Sequence, residues 1–151
     1  METVASYAFK ASSSMEGNAG SIKINNVNWY CTETCSSSRS YMFENVTIMN
    51  LNAYNISEGY NSSSSSYTHC QHFYKANLMN VVFDESITSI PKYAFCYSNI
   101  YGLELHDGIT SIATYAFNLY NASGFNVNKM SKNITTLENY AFAYPVFKTD
   151  V

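Results

Sequence analysis

The side chains in this chain best suited to metal or acid–base chemistry are four cysteines and three histidines, and they fall in two places. Cys31, Cys35, His69, Cys70, His72 and Cys96 are of the ligand types that tetrahedral zinc prefers, and His69-Cys70-Gln71-His72 is a compact run of them. Cys-x3-Cys is looser than the usual zinc spacing, and His72 stands where a recurring motif elsewhere has alanine, so its expected work is to fill a corner. No metal site is therefore assigned. Disulfides are the other use of these thiols, with Cys31–Cys35 and Cys70–Cys96 as candidate pairs. The residue set to stack over Cys70 is Lys92, four positions from Cys96, which favours thiols over that second bridge. Glu104, His106 and Asp107 form the second cluster, in which Glu104 and His106 alternate along one expected strand with no nucleophile beside them. Phosphate-binding glycine loops, a Gly-x-Ser-x-Gly elbow and His-Glu-x-x-His are missing from the sequence, so no catalytic residue and no cofactor are assigned.

The elements that position these groups are set by a repeat. Tyr-Ala-Phe recurs at Tyr7-Ala8-Phe9, Tyr93-Ala94-Phe95, Tyr115-Ala116-Phe117 and Tyr140-Ala141-Phe142, and Tyr41-Met42-Phe43 is a variant. From Phe95 the apolar positions are Ile100, Leu103, Leu105, Ile109, Ile112, Ala116 and Phe117. From Phe73 they are Leu78, Val81, Phe83, Ile87, Ile90, Ala94 and Phe95, at identical offsets in a unit of 22 residues. After Phe117 the late positions Ile134, Leu137, Ala141 and Phe142 arrive three residues behind, so an insertion is expected near residues 128–133. Upstream, Ile48, Leu51 and Ala53 keep the register, the serine-rich run 58–68 carries eight extra residues as a solvated loop, and Ile22 and Ile24 are expected to mark the first strand.

One such unit cannot stand alone. It buries about six apolar side chains at about 1.5–3 kcal/mol each, whereas ordering its backbone costs about 1–2 kcal/mol per residue. Stacking on copies of itself is the physical remedy. The expected fold is a mainly β repeat solenoid, a right-handed coil of about five rungs with short strands and irregular or short helical corners. Residues 1–151 are read as one domain, irregular with insertions over 1–72 and regular over 73–142. The outward positions of the stacked strands give two expected rows: Lys23, Asn52, Val82, Glu104 and Asn126, then Asn25, Tyr54, Asp84, His106 and Asn128. These ten residues are the candidate binding strip, roughly 20 Å long at about 4.8 Å per strand.

The pattern Ile-x-x-x-Ala-Phe, a spacer, an apolar strand and a second Ile-x-x-Ile resembles the BspA-like leucine-rich repeat of bacterial and protozoan surface proteins, most closely from Phe73 to Phe142. It departs in placing Cys96 directly after Phe95 and in lacking proline after the strand. The resemblance implies a non-enzymatic adhesion or protein-interaction module at the cell surface or secreted. Its ligand would be a protein or glycan such as a host or matrix surface. The alternatives are a structural spacer that displays other domains, and an accessory domain of a hydrolase.

Composition agrees with a polar binding module. Only 13% of residues are charged and the net charge is −3, which argues against a nucleic-acid partner. Fourteen tyrosines among many asparagines and serines supply the chemistry that antibody paratopes use. No apolar stretch is long enough to enter a membrane as a helix, and the first twenty residues lack the basic start and apolar core of a signal peptide. The chain opens inside one Tyr-Ala-Phe corner and stops nine residues after another, so a piece of a longer protein is expected. Five glycosylation sequons occur, at Asn45, Asn55, Asn61, Asn121 and Asn133, with Asn61 and Asn133 expected in loops.

Overall fold

The computed structural model describes residues 22–30, 42–61, 69–70, 72–120 and 123–143, with backbone alone for 60, 61, 69 and 70. Its strands in chain order are β1 (Lys23–Trp29), β2 (Thr47–Ala53), β3 (Tyr60–Asn61), β4 (His69–Cys70), β5 (Asn77–Leu78), β6 (Val81–Phe83), β7 (Ser89–Ile90), β8 (Asn99–Ile100), β9 (Leu103–Glu104), β10 (Ser111–Ile112), β11 (Val127–Lys129) and β12 (Thr136–Leu137). Among the described residues there is no helix, and the corners are turns.

Two parallel ladders run along the solenoid. In the main one, β1 pairs with β2, β2 pairs with both β5 and β6, β5 pairs with β8, β6 with β9, and β9 with β11. This makes five rungs and about four turns. The second ladder joins β7, β10 and β12 through Ile90, Ile112 and Leu137. At the end of the ladder β11 is half-buried only at Val127, whereas the three inner rungs bury the positions of an apolar-x-x-apolar-x-apolar run, as in Ile48, Leu51 and Ala53 or Ile100, Leu103 and Leu105. The strand bends between the first two, which is why β5–β6 and β8–β9 are interrupted at Met79-Asn80 and Tyr101-Gly102.

The phenylalanines form a continuous interior column. Phe43, Phe73, Phe95 and Phe117 stack with centroids 5.5–5.6 Å apart, and Phe142 follows at 5.1 Å, all within 12° of parallel. Alanine or a substitute precedes each one. Ala94, Ala116 and Ala141 leave room for the close passage of rungs, whereas Met42 and His72 fill the same place in the earlier two. His72 packs its ring against Trp29 at 5.0 Å, as its corner-filling role requires.

Tyrosine in the same motif has a less obvious duty. Tyr93, Tyr115 and Tyr140 have φ of 57°, 57° and 60°, a left-handed conformation that costs a residue with a Cβ about 1 kcal/mol or more. Their rings stack at 5.4 Å and 5.1 Å, nearly parallel, and so recover part of that cost. Two residues after the column phenylalanines, Asn45, Lys75 and Tyr97 repeat the left-handed turn.

Two expectations need correction. The first strand takes its inward residues from Ile24, Val27 and Trp29, which stand opposite Ile48, Leu51 and Ala53; Ile22 is exposed. The extra residues of the last rung lie mostly before its strand, since Val127 pairs with Leu103 (24 residues apart in place of 22) and a bulge at Asn128 makes Lys129 pair with Glu104 (25 apart). The serine-rich insertion is bracketed by the antiparallel pair β3–β4, residues 62–68 of it lie outside the described residues, and the segment leading into it, 56–59, touches the body of the solenoid. Ile56 lies against the core, and the Gly59 amide donates to the Lys92 carbonyl at 2.8 Å. A Cβ at Gly59 would sit 2.5 Å from the Tyr93 carbonyl oxygen, so this approach requires glycine.

Candidate functional site

The outward side chains of the main ladder make the candidate site, and its rows are those of the observed register. Pairing places Asn28, Asn52, Val82, Glu104 and Lys129 in one row. Lys23 is therefore opposite Thr47 and outside the row, and Asn126 belongs one column away, where its carbonyl accepts from the Leu103 amide as Asn80 does from Leu51. A row missed in the sequence thus contains Asn26, Asn50, Asn80 and Asn126, with Gly102 filling its fourth place. Its signal was an asparagine immediately before the middle inward residue of the strand.

At the N-terminal end these columns are tied by side chains. Asn50 Nδ2 donates to Asn26 Oδ1 at 3.1 Å and to the Asn25 carbonyl at 3.3 Å, and Asn52 Nδ2 donates to Asn28 Oδ1 at 3.0 Å. Tyr30 stacks on Tyr54 at 4.5 Å and 10°, taking the place that Asn25 was expected to hold. Partial desolvation, followed by the neighbouring Tyr54 phenol and Asp84 carboxylate, raises the Tyr30 phenol above its ordinary value. This half of the face offers amides and phenols in a fixed array.

Further along, the second expected row becomes a column of turns. Asp84 Oδ1 accepts from the Ser86 amide at 3.0 Å and from its hydroxyl at 2.5 Å. Those bonds, the hydroxyl's first, hold the Asp84 carboxyl below the usual range. His106 Nδ1 accepts from the Gly108 amide at 3.1 Å, and Ser131 Oγ accepts from the Asn133 amide at 3.2 Å. Each side chain thus captures the amide two residues on. Two of the three also reach back one rung: His106 Nε2 meets the Asp84 carbonyl at 3.0 Å and Ser131 Oγ donates to the Ile109 carbonyl at 2.7 Å.

Because a carbonyl only accepts, the proton of His106 is on Nε2, and the Gly108 amide occupies the bare Nδ1. Glu85 Oε2, 3.3 Å from Nδ1, can form an ion pair there only if Nδ1 gains a proton. His106 is 7% exposed, so it builds the scaffold and is not an outward contact residue. Ser131 holds the corresponding place in the last rung, and Asn128 lies in the bulge, bonded through its Oδ1 to Asn126 Nδ2 at 2.6 Å.

A second tyrosine cluster lies on the corners following the phenylalanines. Tyr74 and Tyr97 meet edge to face at 6.2 Å, and Lys75 Nζ sits 5.3 Å from the Tyr74 ring and 4.9 Å from that of Tyr120.

Among the described residues no three His, Cys, Asp or Glu side chains gather to hold a metal ion. Cys31 and Cys35 lie outside the described residues, as do the side chains of His69 and Cys70. Cys96 is a buried thiol that receives the Asn118 amide at 3.6 Å. Of the sequons, Asn55 is exposed, Asn133 Nδ2 is engaged with the Asp107 carbonyl at 2.8 Å, and the side chains of Asn61 and Asn121 lie outside the described residues.

Stacked parallel ladders, a phenylalanine spine and turn-linked rungs define a mainly β leucine-rich-repeat solenoid. A family model, the BspA type leucine rich repeat region, matches residues 67–148 in six copies, and the chain belongs to that family. No curated protein and no solved structure matches the chain. Repeats of this family are generally non-enzymatic, commonly mediate protein binding and are typically surface-associated. No helix among the described residues is long and apolar enough to cross a membrane.

Proposed function

We propose that this chain is a non-enzymatic adhesion module whose main-ladder face holds a protein or glycan partner at a cell or matrix surface. The observation that carries the reading is the N-terminal array of Asn26–Asn50, Asn28–Asn52 and Tyr30–Tyr54, bonded or stacked across rungs on a solvent-facing surface. Cross-rung ties fix these side chains before a partner arrives, which lowers the entropy lost on binding. Tyrosine and asparagine are also the residues that make contact area and adaptable hydrogen bonds at low entropic cost. The contact residues are Asn28, Tyr30, Asn52 and Tyr54 at one end and Val82, Glu104 and Lys129 at the other. Among the remaining expected residues, Asp84 and His106 build turns beneath the face.

Capture of the purified chain by immobilised matrix proteins and by an array of neutral and acidic oligosaccharides tests this reading. Tyr30→Ala with Tyr54→Ala is expected to weaken capture by about tenfold or more, as loss of buried aromatic contacts does elsewhere. Capture of nothing, or capture indifferent to these changes and to Glu104→Ala, would leave the spacer reading in its place.

A further inference from the structure

The turn column beneath the strand face has three members that perform one task with different chemistry. Asp84 holds the Ser86 amide with a carboxylate, His106 holds the Gly108 amide with an imidazole nitrogen, and Ser131 holds the Asn133 amide with a hydroxyl. A hydroxyl accepts at any ordinary pH, and a carboxyl group keeps an acceptor oxygen whether or not it is ionised. An imidazole loses its only acceptor when it binds a second proton, and as a residue type it does so in mildly acidic water. We propose that His106 is an acid-operated latch: protonation at Nδ1 ejects the Gly108 amide and transfers His106 to Glu85, loosening the 106–108 turn and the half of the binding face that it supports.

The geometry gives the latch two positions. In the closed one, Nδ1 takes the Gly108 amide at 3.1 Å while Nε2–H holds the Asp84 carbonyl at 3.0 Å. In the open one, Nδ1–H faces the Glu85 carboxylate, already 3.3 Å away and well exposed, so it is free to adjust. The two cannot coexist, since two N–H groups cannot share that contact. Gly108 has no space to improvise: a Cβ there would lie 2.8 Å from the imidazole Cε1, so the turn is fitted to the ring.

Charged groups on every neighbouring turn bear on the event. Asp84 and Glu85 face the ring from the preceding rung, and Glu104 and Asp107 flank it on its own. On the following rung, Lys129 and Lys132 lie near Asp107, with Lys132 Nζ 3.2 Å from it. Asp107 also makes the turn consequential. Its Oδ1 accepts from the Lys132 amide at 3.3 Å and its carbonyl from Asn133 Nδ2 at 2.8 Å, so movement at 106–108 is passed to the last rung. Toward the N-terminal array the ring's connection is indirect: Nε2 holds the Asp84 carbonyl, and the Asp84 amide donates to the Ala53 carbonyl at 2.8 Å.

The inference concerns regulation of the surface proposed above and rests on that reading for its biological meaning, but the latch can be observed with no partner present. In the isotope-labelled chain, amide and imidazole resonances are followed from about pH 8 to pH 5. The Gly108 amide is expected to shift and lose its exchange protection with the same midpoint as the His106 ring, while the Ser86 and Asn133 amides keep theirs. His106→Asn, whose side chain can accept the same amide without titrating, should abolish the Gly108 transition. Glu85→Gln removes the carboxylate that receives the imidazolium and should demand more acid, and it tests the latch should the first variant fail to fold. A Gly108 amide that stays bound while the ring titrates, or a transition that survives in His106→Asn, overturns the proposal. Where a partner is captured, its release in acid should disappear in His106→Asn. Failure to capture any partner refutes the adhesion reading and leaves the amide result standing.

Discussion

The two ends of the strand face share one backbone and differ in what they can offer. Around β1 and β2 the outward residues are Asn26, Asn28, Tyr30, Asn50, Asn52 and Tyr54, tied in pairs across the rungs. Around β6, β9 and β11 the same columns hold Val82, Asp84, Glu104, His106 and Lys129, and hydrogen bonding shifts from outward amides to the turns below. Beneath both halves runs the same phenylalanine column. The inward positions are constrained because a change is felt by the rungs above and below, whereas outward positions are free to specialise by region.

The contrast between inside and outside is broken most severely at Phe95, fully buried between two ring neighbours. Phe95→Ala is expected to cost about 3–5 kcal/mol in urea unfolding, and Asn52→Ala less than about 1 kcal/mol. Similar losses from the two would mean that the amide array belongs to the scaffold and not to a surface.

A smaller effect sharpens the view of the corners. Tyr115 combines a left-handed backbone with stacking on both Tyr93 and Tyr140. Tyr115→Ala loses the stacks and keeps the strained conformation, while Tyr115→Gly loses the stacks and relieves it, so glycine should be the more stable variant by about 1 kcal/mol. Equal stability would show that the corner relaxes out of the left-handed region when the ring is removed.

The smallest effect separates the ends by pH. Asp84, Asp107 and Glu138 are held below their ordinary values, chiefly by the hydroxyl of Ser86, the amide of Lys132 and the hydroxyl of Thr114 respectively. Folding therefore favours their ionised forms. Their contribution is complete above the usual carboxylate range and is lost as pH falls through their own lower values. Asp107→Asn should flatten the acid limb of stability in thermal melts between about pH 5 and pH 2, with no change at the Asn28–Asn52 end. An acid limb unchanged by Asp107→Asn would place the acid sensitivity elsewhere.

Much of this was legible beforehand, for identifiable reasons. The offsets from Phe73 and Phe95 predicted Leu78, Val81 and Phe83 opposite Ile100, Leu103 and Leu105, and the structure pairs Val81 with Leu103. Reading failed where two registers satisfied the same apolar count. Ile22 and Ile24 alternate as a strand should, but the spacing of Ile24, Val27 and Trp29 matches Ile48, Leu51 and Ala53, and burial of the tryptophan against Phe43 and Phe73 selects it. The bulge at Asn128 had no apolar marker at all, because it alters hydrogen-bond pairing and not hydrophobic order.

By itself, then, the sequence determined that this protein is a stack: its periodic apolar residues leave each unit unable to bury its own surface, and only repetition satisfies them. Tertiary structure alone decided which polar residues face solvent and which build turns. His106 and Glu104 stand two apart on one strand, yet one is sealed against the preceding rung and the other is half-exposed. That division depends on where carbonyls and amides of the adjacent rung come to rest, which periodicity does not encode.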